Sequence, residues 1–241
     1  MKKIYLQICL ILIIAVCAAS EISYAQLTTP SVQSIYGGRI NCISSYAKTS
    51  DTTRVFISTE SANSIFYADV YSGTGTATFG NFAVMPGLSS SYNYGSAIQV
   101  IAADSVSGYL FFVHQTGLLS SHPSSTTVNT VASGNINALL VYRSYMFYIK
   151  NSNKLHYGTI NSSGSYTESG SLTITSVSNP AIVLNPSNNK IYIFGAGTAP
   201  TLVKSSSDYN SFSGATSFSS ISLASLSASL YWKAFGIGPD G

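Results

Sequence analysis

One pattern returns four times along this chain and limits what it can fold into. A short apolar stretch leads to a polar turn and then to a dense aromatic and aliphatic strand. These second strands read Thr53-Arg-Val-Phe-Ile-Ser-Thr59, Tyr109-Leu-Phe-Phe-Val-His114, Tyr145-Met-Phe-Tyr-Ile-Lys150 and Lys190-Ile-Tyr-Ile-Phe-Gly195. Units that repeat at roughly 35–55 residues and consist only of strands point to the blades of a propeller. The expected architecture is all-β: a β-propeller of about four four-stranded blades plus the start of a fifth, an incomplete ring.

The spacing of turns agrees. Gly, Asn, Ser or Pro interrupt the apolar runs about every eight to twelve positions, as in all-β folds, and no helical periodicity follows residue 25. Blade one is expected over 39–87, with strands Arg39–Ser44, Thr53–Thr59, Ser64–Tyr71 and Thr76–Ala83. Blade two takes 97–133 and contains Ala97–Ala103, a turn at Asp104–Gly108 and Tyr109–His114. Blade three takes 135–174, with Ile136–Tyr142 inside and Lys154–Ile160 and Ser165–Leu172 outside. Blade four takes 180–223, and the start of a further blade takes 228–241, where Trp232–Phe235 runs into Pro239-Asp240-Gly241. An ending inside a turn is expected of a piece of a longer protein, the alternative being a tail that closes the ring by joining the first blade. Inner strands such as Ala97-Ile-Gln-Val-Ile-Ala-Ala103 are small and apolar, which suits close packing about an axis. The second strands are bulky on both faces, which suits burial between neighbouring blades.

The chain begins as an exported protein does. Met1-Lys2-Lys3 is a basic start, Ile4 to Ala19 an apolar run, and Ser23-Tyr24-Ala25 a cleavage site before Gln26. Residues 1–25 are therefore expected to be a signal peptide, 26–36 a leader and 37–241 the propeller. The run is too short to be a stable membrane span. Cys9 and Cys17 leave with the signal, so Cys42 alone remains and no disulfide forms within the processed chain. A secreted or cell-surface location follows.

Charge excludes several partners. Charged residues are 8% of the chain, against about 25% in ordinary domains. The net charge of +3 includes Lys2 and Lys3, and the other cations are scattered. Nucleic acid is therefore not an expected partner. His114, His122 and His156 share no ligand spacing, so no metal is expected, and no phosphate-cradling loop or nucleophile elbow points to a cofactor or a serine hydrolase.

Two stretches carry a resemblance. Gly38-Arg-Ile-Asn-Cys-Ile43, followed by Arg54–Thr59 and Ser64–Tyr67, is laid out like an opening blade. Leu202–Phe212 contains Ser206 and Asp208 at the spacing of an Asp-box, with Asn210 in place of its Gly and Phe212 in place of its Thr. Together they resemble secreted propellers of the Asp-box or BNR-like class, which includes sialidase- and sortilin-type domains. The resemblance implies that Ser206 and Asp208 form a structural turn between third and fourth strands, the Asp accepting backbone hydrogen bonds. It also places Arg39 where the class has its first arginine.

Sialidase chemistry needs three arginines for a carboxylate, a Tyr–Glu pair and an acid. The chain offers Arg39, Arg54 and Arg143, and Arg39 lacks the following Pro. A two-carboxylate glycosidase needs paired acids; Glu60 and Asp69 share one hairpin, and the remaining acids fall mostly in turns. The favoured reading is a binding or scaffold module without catalytic residues, for glycan or extracellular protein. Tyr36, Arg39, Tyr92 and Tyr94 are its candidate contacts, since exposed Tyr stacks on sugars and protein surfaces. The alternative is a glycan-processing hydrolase of the Asp-box class, its site completed beyond residue 241.

Overall fold

The second strands decide the architecture because each carries large side chains on both faces. In the computed structural model, Phe147 and Ile149 of one such strand join one apolar cluster, while Met146 and Tyr148 join another. Likewise Leu110 and Phe112 turn one way and Phe111 the other. A strand whose alternate residues feed two cores must lie between two sheets. The structure describes residues 40–59, 65–73, 77–88, 98, 100–174, 177–195 and 201–221.

Among the described residues four antiparallel sheets follow one another, with strands neighbouring in chain order except that the last strand of the first sheet pairs back with its third. The first contains β1 (Ile40–Ala47), β2 (Thr52–Thr59), β3 (Ile65–Tyr71), β4 (Thr78–Phe79) and β5 (Ala83–Val84). The second contains β6 (Ile101–Ala103), β7 (Leu110–His114), β8 (Gly117–Ser121) and β9 (Val128–Ser133). The third contains β10 (Ile136–Tyr142), β11 (Tyr145–Lys150), β12 (Lys154–Ile160) and β13 (Tyr166–Thr173). The fourth contains β14 (Pro180–Asn185), β15 (Lys190–Gly195), β16 (Thr201–Asp208) and β17 (Phe218–Ile221).

The first strands of successive sheets meet: β1 touches β6, β6 touches β10, and β10 touches β14. Sheets joined in series at their inner strands fan around an axis, so the fold is a β-propeller with four described blades. The only helical element among the described residues is a 3-10 turn, Tyr209–Ser211.

Three apolar clusters fill the gaps between blades. Phe56, Met85, Leu110 and Phe112 pack between blades one and two. Phe111, Leu118, Met146 and Ile160 pack between two and three. Phe147, Leu155, Ile182 and Ile193 pack between three and four. Each fully buried side chain of this size contributes about 1.5–3 kcal/mol. Cys42 is half-buried beside the first of these clusters.

Blade one departs from the expected pattern. A single fourth strand over Thr76–Ala83 was the sequence expectation. The blade has two short pieces instead, Thr78–Phe79 and Ala83–Val84, both paired with β3. The Gly80 amide donates to the Asp69 carbonyl, and the chain then runs on before pairing again at Tyr67 and Phe66.

Candidate functional site

A groove of about 230 Å³ lies between blades three and four. Five aromatic residues line it: Tyr145 and Phe147 of β11, Tyr157 of β12, and Tyr209 and Phe212 from the connection between β16 and β17. Thr159, Ser169 and Asn210, all exposed, bring polar groups to the same space. None of its described lining residues is Asp, Glu, Lys, Arg or His.

Strand alternation explains the blade-three wall. Tyr145, Phe147 and Ile149 point one way along β11 and meet Tyr157 of β12, since Phe147 pairs with Tyr157 in register. Tyr157 in turn pairs with Gly170, where a Cβ would come within 2.6 Å of the tyrosine hydroxyl. Glycine at that position leaves room for the phenol.

The blade-four wall depends on the 3-10 turn. It exposes Asn210 and turns Tyr209 and Phe212 inward. Tyr209 meets Tyr142 and Tyr145 edge-on, each at 5.2 Å between ring centres. Phe212 meets Phe147 at 4.9 Å and Tyr157 at 5.6 Å, again edge-on. Such contacts add about 0.5–1.5 kcal/mol each beyond burial and fix the rings in place.

Hydroxyls anchor the same connection. Ser205 Oγ accepts from the Ile191 amide at 3.0 Å and donates to the Ser207 carbonyl at 2.8 Å. Ser206 Oγ accepts from the Ser217 amide at 2.9 Å, and the Tyr209 amide donates to the Asn189 carbonyl at 2.8 Å. Asp208 ends β16, the third strand of its blade. Its carboxylate lies 2.7 Å from Lys190 Nζ, and it makes no side-chain cap to the 3-10 turn. The backbone groups near this turn are bonded by Ser and Thr hydroxyls and by other carbonyls.

A second constellation sits on the opposite face of blade three, toward blade two. Tyr148 and His156 stack almost parallel at 4.7 Å. Glu168 accepts from the Tyr148 hydroxyl at 3.3 Å, and its other oxygen lies 3.0 Å from His156 Nδ1. The Tyr166 ring contacts Tyr148, while the Tyr166 hydroxyl and His156 Nε2 are buried with no hydrogen-bond partner among the described residues. Burial, then the charge of Glu168, pushes the Tyr148 phenol pKa up. Burial, reinforced by Tyr148 and Glu168, does the same to Tyr166. Tyr148 is 2% exposed, so this Tyr–Glu pair is packed into the blade interface.

Neither described arginine serves that pair. Arg54 grips Asp69 through two hydrogen bonds of 2.7 and 2.9 Å, and Lys48 adds a third at 3.0 Å. The Arg54 guanidinium, the largest influence, holds the Asp69 carboxyl below the usual range. Arg54 is thus a half-buried tie within blade one. Arg143 lies over the Tyr142 ring at 5.3 Å. The candidate contacts Tyr36, Arg39, Tyr92 and Tyr94, and Glu60 with them, lie outside the described residues, as do residues 1–25 and 228–241. No group of three or more His, Cys, Asp or Glu side chains is placed to hold a metal among the described residues.

The spacing of Ser206 and Asp208 marks the segment Leu202–Phe212 but not its aromatic contribution. The signal was present in Tyr209 and Phe212, two aromatics beside a turn on an otherwise Ser-rich stretch. Their direction, however, depends on the 3-10 turn.

No family profile and no curated protein matches the chain. Solved structures do, and they resemble it in fold. The N-terminal domain of Nup159, a protein of S. cerevisiae, superposes with a TM-score of 0.52 at 9% identity, over 76% of this chain and 47% of that one. A Bacteroides uniformis protein described as a 6-phosphogluconolactonase gives 0.50 at 13% identity, over 78% and 58%. A Lactobacillus plantarum protein gives 0.50 at 13% identity, over 74% and 54%. The chain spans about half the length of these structures. The likeness supports the propeller fold and carries no activity with it.

Proposed function

We propose that this chain is an exported β-propeller that works as a binding module, for glycan or protein, at the cell surface or outside the cell. The observation that carries the reading is the preformed aromatic groove between blades three and four. Its rings are held edge-on by one another, so a ligand meets them at little ordering cost. Export rests on the N-terminal signal pattern; no helix among the described residues is long and apolar enough to cross a membrane.

A glycan array and a panel of extracellular proteins, probed with the processed chain and its Asn210→Ala variant, test the reading. Retention of a ligand by the parent chain and weaker retention by the variant support it. Robust glycoside turnover by the purified protein, or binding indifferent to the groove, overturns it.

The Tyr148–Glu168 pair gives the hydrolase alternative its one specific observation. A nucleophilic tyrosine needs an exposed phenol and a guanidinium cluster to seat an acidic sugar. Tyr148 is buried, its pKa is raised, and Arg54 and Arg143 are engaged elsewhere. The binding reading is therefore preferred, and the Asp-box kinship of Ser206 and Asp208 is kept as a structural proposal only. Loss of a measured glycosidase activity in Tyr148→Phe would restore the alternative.

A further inference from the structure

We infer that the groove between blades three and four accepts one uncharged pyranose ring, the terminal sugar of a neutral glycan. This rests on the binding-module reading and assigns the ligand class of the same site.

Three features select that ligand. The first is charge. Among the described residues no Asp, Glu, Lys, Arg or His lines the groove, so a sialic acid, uronate or sulfated sugar would enter without a fork of N–H donors to replace its water. The second is the pairing of surfaces. Tyr145 and Phe212 are partly exposed rings on facing blades, which suits the apolar C–H faces of a pyranose. At the rim, Thr159, Ser169 and Asn210 supply hydroxyl and amide groups that both donate and accept. Ring hydroxyls need that mixture, since each is donor and acceptor at once.

The third feature is size. A space of about 230 Å³ falls below the roughly 300–1,000 Å³ of sites that enclose a drug-sized ligand. It takes one ring and leaves the rest of a chain outside. Tyr209 fixes the floor, because it is itself buried and held between Tyr142 and Tyr145.

The experiment is saturation-transfer NMR with the processed chain and a panel of methyl glycosides. The neutral members are galactoside, glucoside, mannoside and N-acetylglucosaminide; the charged members are glucuronide and sialoside. At least one neutral glycoside is expected to receive saturation on its ring protons. That signal is expected to vanish in Phe212→Ala and to weaken about two- to tenfold in Asn210→Ala, the loss of one hydrogen bond. Asn210 is exposed on a turn, so its variant keeps the fold if Phe212→Ala does not. Charged glycosides are expected to bind at least tenfold more weakly than the neutral hit. Equal or tighter binding of a charged glycoside, or of a peptide, with the same sensitivity to Asn210 overturns the sugar assignment and leaves the binding module standing. Glycoside binding unchanged in both variants, or no glycoside bound, overturns the sugar assignment; the binding-module reading falls with it only if the panel of extracellular proteins also yields no groove-dependent ligand.

Discussion

The carboxylate of Asp104, on blade two, accepts the backbone N–H of Ser144, on blade three, at 3.0 Å. Asp104 is fully buried. Its other oxygen takes the Ser107 amide at 2.9 Å and the Ser107 hydroxyl at 2.6 Å, with the Ser144 hydroxyl at 3.4 Å. One side chain therefore closes its own turn and also holds the next blade. Ser144 and its neighbour Arg143 form the two-residue turn between β10 and β11, with φ of 64° and 47°. Left-handed backbone disfavours both residue types, so the turn draws support from outside itself.

Asp104→Ala is expected to destabilise the protein by roughly 2–3 kcal/mol, the range for buried hydrogen bonds to a charged group and the donors left behind. Urea unfolding checks the value. Asp104→Asn is expected to lose less, since its amide oxygen still accepts from Ser144. Equal losses in the two variants would mean that packing, and not the hydrogen bonds, holds this junction.

That junction also shows what the chain's local pattern conveys. The second strands were legible because burial between two sheets demands apolar side chains at every position, and runs such as Met146-Phe147-Tyr148-Ile149 are dense enough to read. Strands β8 and β9 were not placed. Gly117-Leu-Leu-Ser-Ser121 is short, and its burial owes more to neighbouring strands than to its own residues. Asp104 read as an ordinary turn residue, because nothing local announces a partner forty positions away. The groove failed to appear for the same reason: its walls come from β11 to β13 and from the connection after β16.

Tyr148 and Tyr166 predict opposite responses to loss of a hydroxyl. Tyr148→Phe removes a donor to Glu168 and is expected to cost about 1 kcal/mol. Tyr166→Phe removes a buried hydroxyl that has no partner among the described residues, so the variant is expected to be neutral or more stable. Thermal unfolding at neutral pH distinguishes the two. A clear loss of stability in Tyr166→Phe would show that a bound water satisfies this hydroxyl.

Both phenols also set an alkaline limit. Their pKa values are raised in the folded state, so folding retains protons that the unfolded chain gives up. Their contribution to stability is expected to be fully present below about pH 10 and to be lost above it. Absorbance titration of the phenolates is expected to show two tyrosines that ionise only as the protein unfolds. In Tyr166→Phe the alkaline unfolding midpoint is expected to move upward.

The acid limb has the opposite origin. Burial lowers the pKa of His114; burial and then the charge of Arg54 lower that of His122. His122 also packs against the Tyr109 ring at 5.0 Å, and its Nδ1 lies 2.7 Å from Ser124 Oγ. Both imidazoles stay neutral in the folded protein at pH values where the unfolded chain is already protonated. Their contribution is present above about pH 6.5 and is lost as pH falls below it. Melting temperatures measured from pH 7.5 to 5 are expected to drop, and less steeply in His122→Gln. An unchanged slope in that variant would assign the acid limb to other groups.

Gly170 gives the most direct mechanical test of the groove. A methyl group there would lie 2.6 Å from the Tyr157 hydroxyl, and the phenol is the end of a side chain that can tilt. Gly170→Ala is therefore expected to fold, with Tyr157 displaced toward Phe212, the ring it meets at 5.6 Å. Because Phe212 also packs on Phe147 and Phe218, the displacement is expected to reach both walls of the groove at once. Ligand binding should weaken more in Gly170→Ala than in Asn210→Ala, although residue 170 does not line the space. Aromatic proton shifts of Phe212, compared between parent and variant, report the displacement without any ligand. Binding that stays at the parent level while those shifts move would show that the exact pose of Tyr157 does not govern what the groove holds.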